Sequence, residues 1–381
     1  MNLREKDKTC KIMTLFTLIS FYIISFITIF FSIKNKDIYA YTFTSYLLTY
    51  EKGFISRGLI GTIYSFLFND NNLFQGVFYT TIILNIILLG WFLSNITKLF
   101  FKYINQPLFN FYVVLSFCSF PIFYFFNPTF LGRIEIFWYL GFVFILWCFK
   151  DLTTLKTFMI FILSAICILI HHGFLFLIAP FVCILFLEQN KKKEFLLYGF
   201  FMIFIFLICQ FMGKVDYNIM YNYVFGRIDN SNIYFSKTDI KEIESMLKYE
   251  FKLPVWKHFK IYKPAIPQTI FITIMYMFFN IINIFSIKKI LNEFYHISKR
   301  TVFYIGIIII SLTILFYFTL DWNRWLLLFL LNLQFFLFFK LKNDPTQLDT
   351  NLKNINKSNI LFLPIMNIFS ITFLIIIVFY F

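Results

Sequence analysis

The stretch IMTLFTLISFYIISFITIFFSI, residues 12–33, decides the fold; a basic head of Arg4, Lys6, Lys8 and Lys11 precedes it and Lys34 ends it. An α-helix rises about 1.5 Å per residue, so about 20 apolar residues cross the roughly 30 Å hydrocarbon core of a bilayer. The run carries no charge and is longer than the apolar core of a signal peptide. No small-x-small cleavage site follows it. It reads as a retained first membrane helix.

Composition carries this reading to the whole chain. Of 381 residues, 60% are hydrophobic, 23% aromatic and 14% charged, against about 45–50% apolar and about 25% charged in an ordinary globular domain. A soluble protein so apolar lacks the polar surface to cover itself. This excludes a soluble enzyme, a disordered chain and a nucleic-acid module, and leaves a polytopic membrane protein. Sixty phenylalanines beside four alanines point to AT-rich coding, so the phenylalanine count reads mostly as nucleotide bias. Cys118, Cys148, Cys167, Cys183 and Cys209 sit in apolar runs and Cys10 in the N-terminal tail, with no C-x-x-C pair. Neither a disulfide framework, a zinc site nor any cofactor is expected.

Apolar runs of spanning length recur at 12–33, 73–97, 107–126, 136–149, 156–170, 174–187, 195–213, 267–287, 301–320, 325–340 and 360–381. The expected fold is an all-α polytopic integral membrane protein, residues 1–381 forming a single multi-span domain with about eleven transmembrane helices. The range is about ten to twelve, because the runs flanking His171-His172-Gly173 also fit one long kinked helix. No internal repeat stands out. With a cytoplasmic N-terminus, 19 of the 34 Lys and Arg fall inside, and nine of the remaining 15 lie in one loop, 214–266. Setting that loop aside, the bias obeys the positive-inside rule. The net charge of +15 therefore serves topology first, and no nucleic-acid partner is expected.

This orientation sorts the unusual polar residues onto the outer side. The first outer segment, 34–72, holds Glu51, Lys52, Gly53, Arg57, Gly58 and Gly61; a second holds Gly132, Arg133 and Glu135. The third is the His171-His172-Gly173 turn, the fourth the loop 214–266 with Gly226, Arg227 and Asp229, and the fifth Asp321-Trp322-Asn323-Arg324-Trp325. Inner segments are lysine-rich and lack such clusters. Arginine offers a planar fork of donors that grips phosphate or carboxylate bidentately, whereas lysine is a mobile point charge. Arg57, Arg133, Arg227 and Arg324 are thus candidate binders of a diphosphate, and Glu51, Glu135, His171, His172 and Asp321 candidate catalytic acids and bases.

Blander readings stand beside these. Arg57 also fits a snorkelling anchor, although its three flanking glycines imply a tightly packed backbone. Arg133 and Glu135 fit a local ion pair at a helix start, and Asp321 and Arg324 a pair on one helical turn. The outer aromatics fit an interfacial belt. In the loop 214–266, residues Thr238 to Phe259 place Ile240, Ile243, Met246 and Leu247 at helical spacing, as in an amphipathic lid or substrate-binding segment.

The sequence Gly53-Phe54-x-x-Arg57-Gly58-Leu59-x-Gly61, then Gly132-Arg133-x-Glu135, the His171-His172 pair and Asp321-x-x-Arg324-Trp325 together resemble bacterial O-antigen and capsular polysaccharide polymerases of the Wzy type. The resemblance covers the chain by topology and size, and rests on short motifs. It implies an inner-membrane enzyme that joins undecaprenyl-diphosphate-linked oligosaccharide repeat units at the periplasmic face. The loops 34–72 and 214–266 would then be periplasmic, Arg57, Arg133 and Arg324 would serve the diphosphate, and membrane lipid and a chain-length regulator protein would be partners. Some of these polymerases carry Gly sixteen residues after an Arg; here Phe149 and Ile243 stand at those positions after Arg133 and Arg227.

Two rivals remain. A multi-span glycosyltransferase using lipid-phosphate sugars would place an acid in the first outer loop, where Asp37 and Glu51 lie. A repeat-unit flippase would show mid-membrane polar residues and broken helices, features sparse here outside the His171 region. An acyltransferase fits less well, since such enzymes usually carry their His and Arg near the cytoplasmic side.

Overall fold

The computed structural model describes residues 3–35, 38, 40–55, 57–106, 110, 113–114, 131–212, 215–230, 235–251, 299–318 and 322–343. Apart from one 3-10 turn, Tyr50–Lys52, the regular structure among these residues is α-helical. In chain order the helices are α1 (Leu3–Asn35), α2 (Ala40–Leu47), α3 (Gly58–Leu67), α4 (Asp70–Lys102), α5 (Glu135–Lys150), α6 (Thr154–Ile170) and α7 (Phe174–Leu177). They continue as α8 (Ala179–Glu188), α9 (Lys192–Met212), α10 (Tyr217–Asp229), α11 (Lys237–Phe251), α12 (Lys299–Phe318) and α13 (Trp322–Asn343).

Among the described residues, four helical segments are long and apolar enough to cross a membrane: Lys8–Lys34, Asp70–Lys102, Lys192–Met212 and Arg324–Asn343. Shorter apolar helices lie at Gly58–Leu67, Thr154–Ile170, Ala179–Glu188 and Phe303–Leu315. The chain is a helical membrane protein. The apolar runs expected at 107–126, 267–287 and 360–381 lie wholly or largely outside the described residues.

Exposure grades the helices from lipid to core. On α1 and α9, large apolar side chains such as Phe26 (72% exposed) and Phe211 (73% exposed) face outward, where hydrocarbon is their solvent. In α13 most of the span is buried, with Leu328, Leu331 and Phe335 sealed in the interior. Phe335 touches the rings of Trp91, Phe92, Tyr139 and Phe142 at centroid distances of 5.1–6.1 Å. These are ordinary packing geometries for aromatic pairs. Nucleotide bias accounts for how many phenylalanines there are; packing selects which of them build the centre.

Hydroxyls inside apolar helices bond to their own backbone. In α1, Thr14, Thr17, Ser25, Thr28 and Ser32 each donate to the carbonyl four residues earlier, at 2.7–2.9 Å. This satisfies them where no water is available. Between helices, Trp138 Nε1 donates to the Cys167 carbonyl at 3.0 Å, Tyr139 Oη to the Leu328 carbonyl at 2.9 Å, and Asn332 Nδ2 to the Leu177 carbonyl at 3.0 Å. These bonds join α5 to α6, α5 to α13, and α7 to α13.

The apolar run 156–187 is interrupted twice. His171 takes an extended backbone (φ −165°, ψ 125°) and ends α6, and Ile178 separates α7 from α8, with Pro180 opening the latter. The interruption at His171-His172-Gly173 was legible as polar residues in an apolar run; the second, at Ile178, was not.

The lysine-bearing ends gather at the opposite end of the bundle from His171. Lys102 Nζ donates to the Leu341 carbonyl at 2.6 Å, Lys340 pairs with Glu188 at 2.6 Å, and Gln189 Nε2 donates to the Phe149 carbonyl at 2.7 Å. Lys102 there covers the C-terminus of α13, whose last carbonyls lack helical partners.

In the first outer segment the glycines serve close packing. A Cβ on Gly61 would run into the Leu48 carbonyl, so α3 lies directly against the chain leaving α2. Replacing Gly61 with alanine forces backbone apart and is expected to destabilise the protein by about 1–3 kcal/mol, the usual cost of overpacking. Gly199→Ala on α9, where an added Cβ meets nothing, is the control. Thermal unfolding in detergent reads both: a fall in Tm for Gly61→Ala and none for Gly199→Ala.

Candidate functional site

Six separated segments meet at the end of the bundle away from the lysines. Ser45 comes from α2, Arg57 from the residue before α3, and Arg133, Ile134 and Glu135 from the start of α5. His171 comes from the C-terminus of α6, Arg324 from the first turn of α13, and Met246 from α11. Together they line one cavity of about 20 Å³, room for roughly one water molecule.

Local backbone explains each placement. Arg133 follows Gly132, whose φ of +86° suits a residue without a Cβ. The buried Tyr46 hydroxyl donates to the Gly132 carbonyl at 2.7 Å and so ties α2 to the turn that presents Arg133. Glu135 opens α5, where the helix dipole favours a carboxylate, and it is 1% exposed. Its Oε1 lies 3.8 Å from Arg324 Nε, while its Oε2 has no hydrogen-bond partner. Arg324 lies over its neighbour, its guanidinium carbon 4.3 Å from the Trp325 ring centroid, in a cation–π contact.

The broken helix presents the histidine pair. The Gly173 N–H donates to His171 Nδ1 at 3.0 Å. That nitrogen must keep its lone pair, so the neutral ring carries its proton on Nε2. His171 packs edge-on to Trp138 at 5.1 Å and stacks on His172 at 4.8 Å. Arg57 Nη2 donates to His172 Nε2 at 3.4 Å, and guanidinium has only donors, so His172 accepts there. The pair therefore links Arg57 on one side of the cavity to the indoles of Trp138 and Trp325 on the other.

The electrostatic balance is uneven. Among the described residues, three guanidiniums and one carboxylate line the cavity, an excess of positive groups. The N-termini of α3, α5 and α13, adjoining Arg57, Glu135 and Arg324, add partial positive charge. Such a pocket is complementary to an anion.

Of the residues expected at the site, the structure thus brings Arg57, Arg133, Glu135, His171 and Arg324 to one cavity, with His172 adjoining through Arg57. Two others lie apart from it. Arg227 on α10 is buried against Asp70, Nε to Oδ1 2.7 Å, and also donates to the Leu47 carbonyl at 3.2 Å. Glu51 lies on the exposed 3-10 turn, accepting from the Tyr223 hydroxyl at 2.8 Å. This hydrogen bond, outweighing partial burial, holds the Glu51 carboxyl below the usual carboxylate range. Asp321 lies outside the described residues.

Sequence reasoning missed Ser45, which no motif marks, and the part played by Met246. It also missed Asp70 as the partner of Arg227, a contact 157 positions apart in the chain. Residues 252–259 of the amphipathic helix expected over Thr238 to Phe259 lie outside the described residues, and the described part is α11. Ile243, Met246 and Leu247 are its buried face, and Ser236 and Asp239 cap its start reciprocally, Ser236 N to Asp239 Oδ2 2.8 Å and Asp239 N to Ser236 Oγ 3.2 Å.

Compared with known proteins, the chain matches no family model, no curated protein and no solved structure.

Removing one member of a buried ion pair strands the other, at about 3–5 kcal/mol. Arg324→Met is accordingly expected to lower stability in detergent by that order, and the double variant Arg324→Met/Glu135→Gln to recover part of the loss. A double variant no more stable than Arg324→Met would show that the two groups are not coupled.

Proposed function

We propose that the cavity is a glycosyl-transfer site, and that the chain polymerises undecaprenyl-diphosphate-linked oligosaccharide units into O-antigen or capsular polysaccharide. In this reading the protein spans a bacterial inner membrane about eleven times, with a cytoplasmic N-terminus. Its lysine-rich end faces the cytoplasm and its arginine-lined end the periplasm, in keeping with the positive-inside rule. The observation that carries the proposal is the set of three arginines and one carboxylate around a single buried cavity.

The chemistry follows from the groups at hand. A hydroxyl of the acceptor sugar attacks the anomeric carbon of the donor sugar. The bond from that carbon to the diphosphate oxygen breaks, and the diphosphate leaves with the electron pair. Arg57, Arg133 and Arg324 hold the diphosphate and stabilise the charge that develops on it; in a site shielded from water such donors act most strongly. Glu135 takes the proton from the attacking hydroxyl through Oε2, the oxygen with no hydrogen-bond partner. His171, with Nδ1 engaged by Gly173, offers its Nε2–H as a donor to a sugar or phosphate oxygen.

Deletion of the gene is expected to remove long polysaccharide chains while a single repeat unit remains attached to the lipid core, as read on a gel. Loss of the single unit as well would indicate a transferase or flippase instead. Arg133→Ala is expected to abolish chain extension at unchanged protein abundance. Arg133→Lys, which keeps charge without the fork, should lower it by about two orders of magnitude, the usual worth of one such donor. Normal chain lengths in both variants would remove Arg133 from the site.

A further inference from the structure

The cavity is far smaller than its proposed substrate. Ligand pockets run to about 300–1,000 Å³, whereas this one is about 20 Å³. Something must move before a sugar diphosphate enters, and the walls differ in how they are held. Arg57, Arg133, Glu135, His171 and Arg324 adjoin packed helices of the bundle, tied by Trp138, Tyr139 and Asn332 to neighbouring backbones. Met246 comes from α11, which lies over α2 and pairs with α10 through Tyr221 Oη donating to Glu244 at 2.8 Å.

The attachment of this helical pair to the bundle includes a small set of polar contacts on the first outer segment. Arg227 grips Asp70 and the Leu47 carbonyl, at 2.7 and 3.2 Å. The Tyr223 hydroxyl lies 2.8 Å from both Thr49 Oγ1 and Glu51 Oε2. The Glu51 side chain is 61% exposed, so water can replace its part of the link at little cost. Apolar contact is added by Phe235 against Phe43, with ring centroids 6.1 Å apart.

We propose that α10 and α11 form a lid, latched shut by Arg227–Asp70 and by Tyr223 on Thr49 and Glu51, and that its opening withdraws Met246 to admit the lipid-linked sugar diphosphate. The proposal rests on the reading of the cavity as the transfer site. It gives Arg227 and Glu51 a positioning role on α10 and the first outer segment, away from the reacting atoms. Each acts on the cavity through Met246.

The lid can be tested without relying on activity. A cysteine at Ser45→Cys lines the cavity, and its labelling by a membrane-impermeant maleimide, measured against the unsubstituted chain as background, reports opening. Labelling should be slow in the closed protein and about ten-fold faster once Arg227→Gln is added, as the closed–open balance shifts. Tyr223→Phe, which removes only a hydroxyl, should give a smaller acceleration in a protein of unchanged abundance. Equal labelling rates in all three backgrounds overturn the lid.

A second experiment bridges Asp70→Cys and Arg227→Cys with a short, reducible bifunctional thiol reagent. Chain extension should stop when the bridge forms and return on reduction. Extension that continues at full rate in bridged protein also overturns the lid. If the gene-deletion gel refutes the polymerase while labelling still accelerates with latch variants, the transfer reading fails and the lid stands as a gate to an anion site of other purpose.

Discussion

Hydrocarbon offers a peptide group no hydrogen-bond partner, and each group left unsatisfied there costs several kcal/mol. The described chain is arranged around that constraint. Its backbone is wound into helices, the serines and threonines of α1 turn back onto their own carbonyls, and breaks in the apolar runs are met by side chains from neighbouring helices. Trp138 reaches the last turn of α6, and Asn332 the last carbonyl of α7. Each such bond also fixes the register of one helix against another, so satisfying the backbone and assembling the bundle are the same event.

The constraint explains where polar chemistry can be kept. A helix can stop within an apolar run only where its end is supplied with partners, and the His171-His172-Gly173 turn supplies its own. His171 N bonds to the Cys167 carbonyl, and the Gly173 N–H bonds to the His171 ring. Once that break exists it holds two imidazoles beside Arg57 and against the indoles of Trp138 and Trp325. The starts of α5 and α13, with Glu135 and Arg324, lie at the same end, and helix ends are where backbone donors are left over. A charged cavity is therefore cheapest there, and the interior around Phe335 holds mainly rings and aliphatic side chains.

What the sequence could disclose followed the same division. Unbroken apolar runs forecast α1, α4, α5, α6, α9 and most of α13, because hydrophobic length is a local property. The spacing of Ile243, Met246 and Leu247 forecast α11 for the same reason, and the glycines near Arg57 announced the close approach of α3 to Leu48. Arg57, Arg133 and Arg324 stood out because arginine is scarce and sits beside acids, glycines or tryptophans. Pairing was illegible. Arg227 carries the same Gly-Arg-Ile-acid signature as Arg133, yet it is bound to Asp70, a residue in another segment with nothing local to advertise it. The cavity-lining position of Ser45 and the second break at Ile178 likewise depend on packing alone.

Arg227 and Arg324 make an internal comparison. Their side chains are equally buried, 8% exposed each, and each faces one carboxylate. Arg227 closes on Asp70 to 2.7 Å, within hydrogen-bonding distance, and fills a further donor with the Leu47 carbonyl. Arg324 stays 3.8 Å from Glu135 and rests on an indole, while Glu135 keeps one oxygen without a hydrogen-bond partner. A pair serving stability alone gains by closing, because the cost of desolvating two charges is offset only by short contacts and full hydrogen bonding. Glu135 and Arg324, farther apart beside Arg57 and Arg133, gain less from each other than Arg227 and Asp70 do. In the proposed transfer reading, an anion entering between the arginines would meet guanidiniums already in place, beside a Glu135 oxygen with no hydrogen-bond partner. A looser ion pair of this kind is compatible with a site whose strongest interactions are reserved for a substrate and for the charge that develops on it.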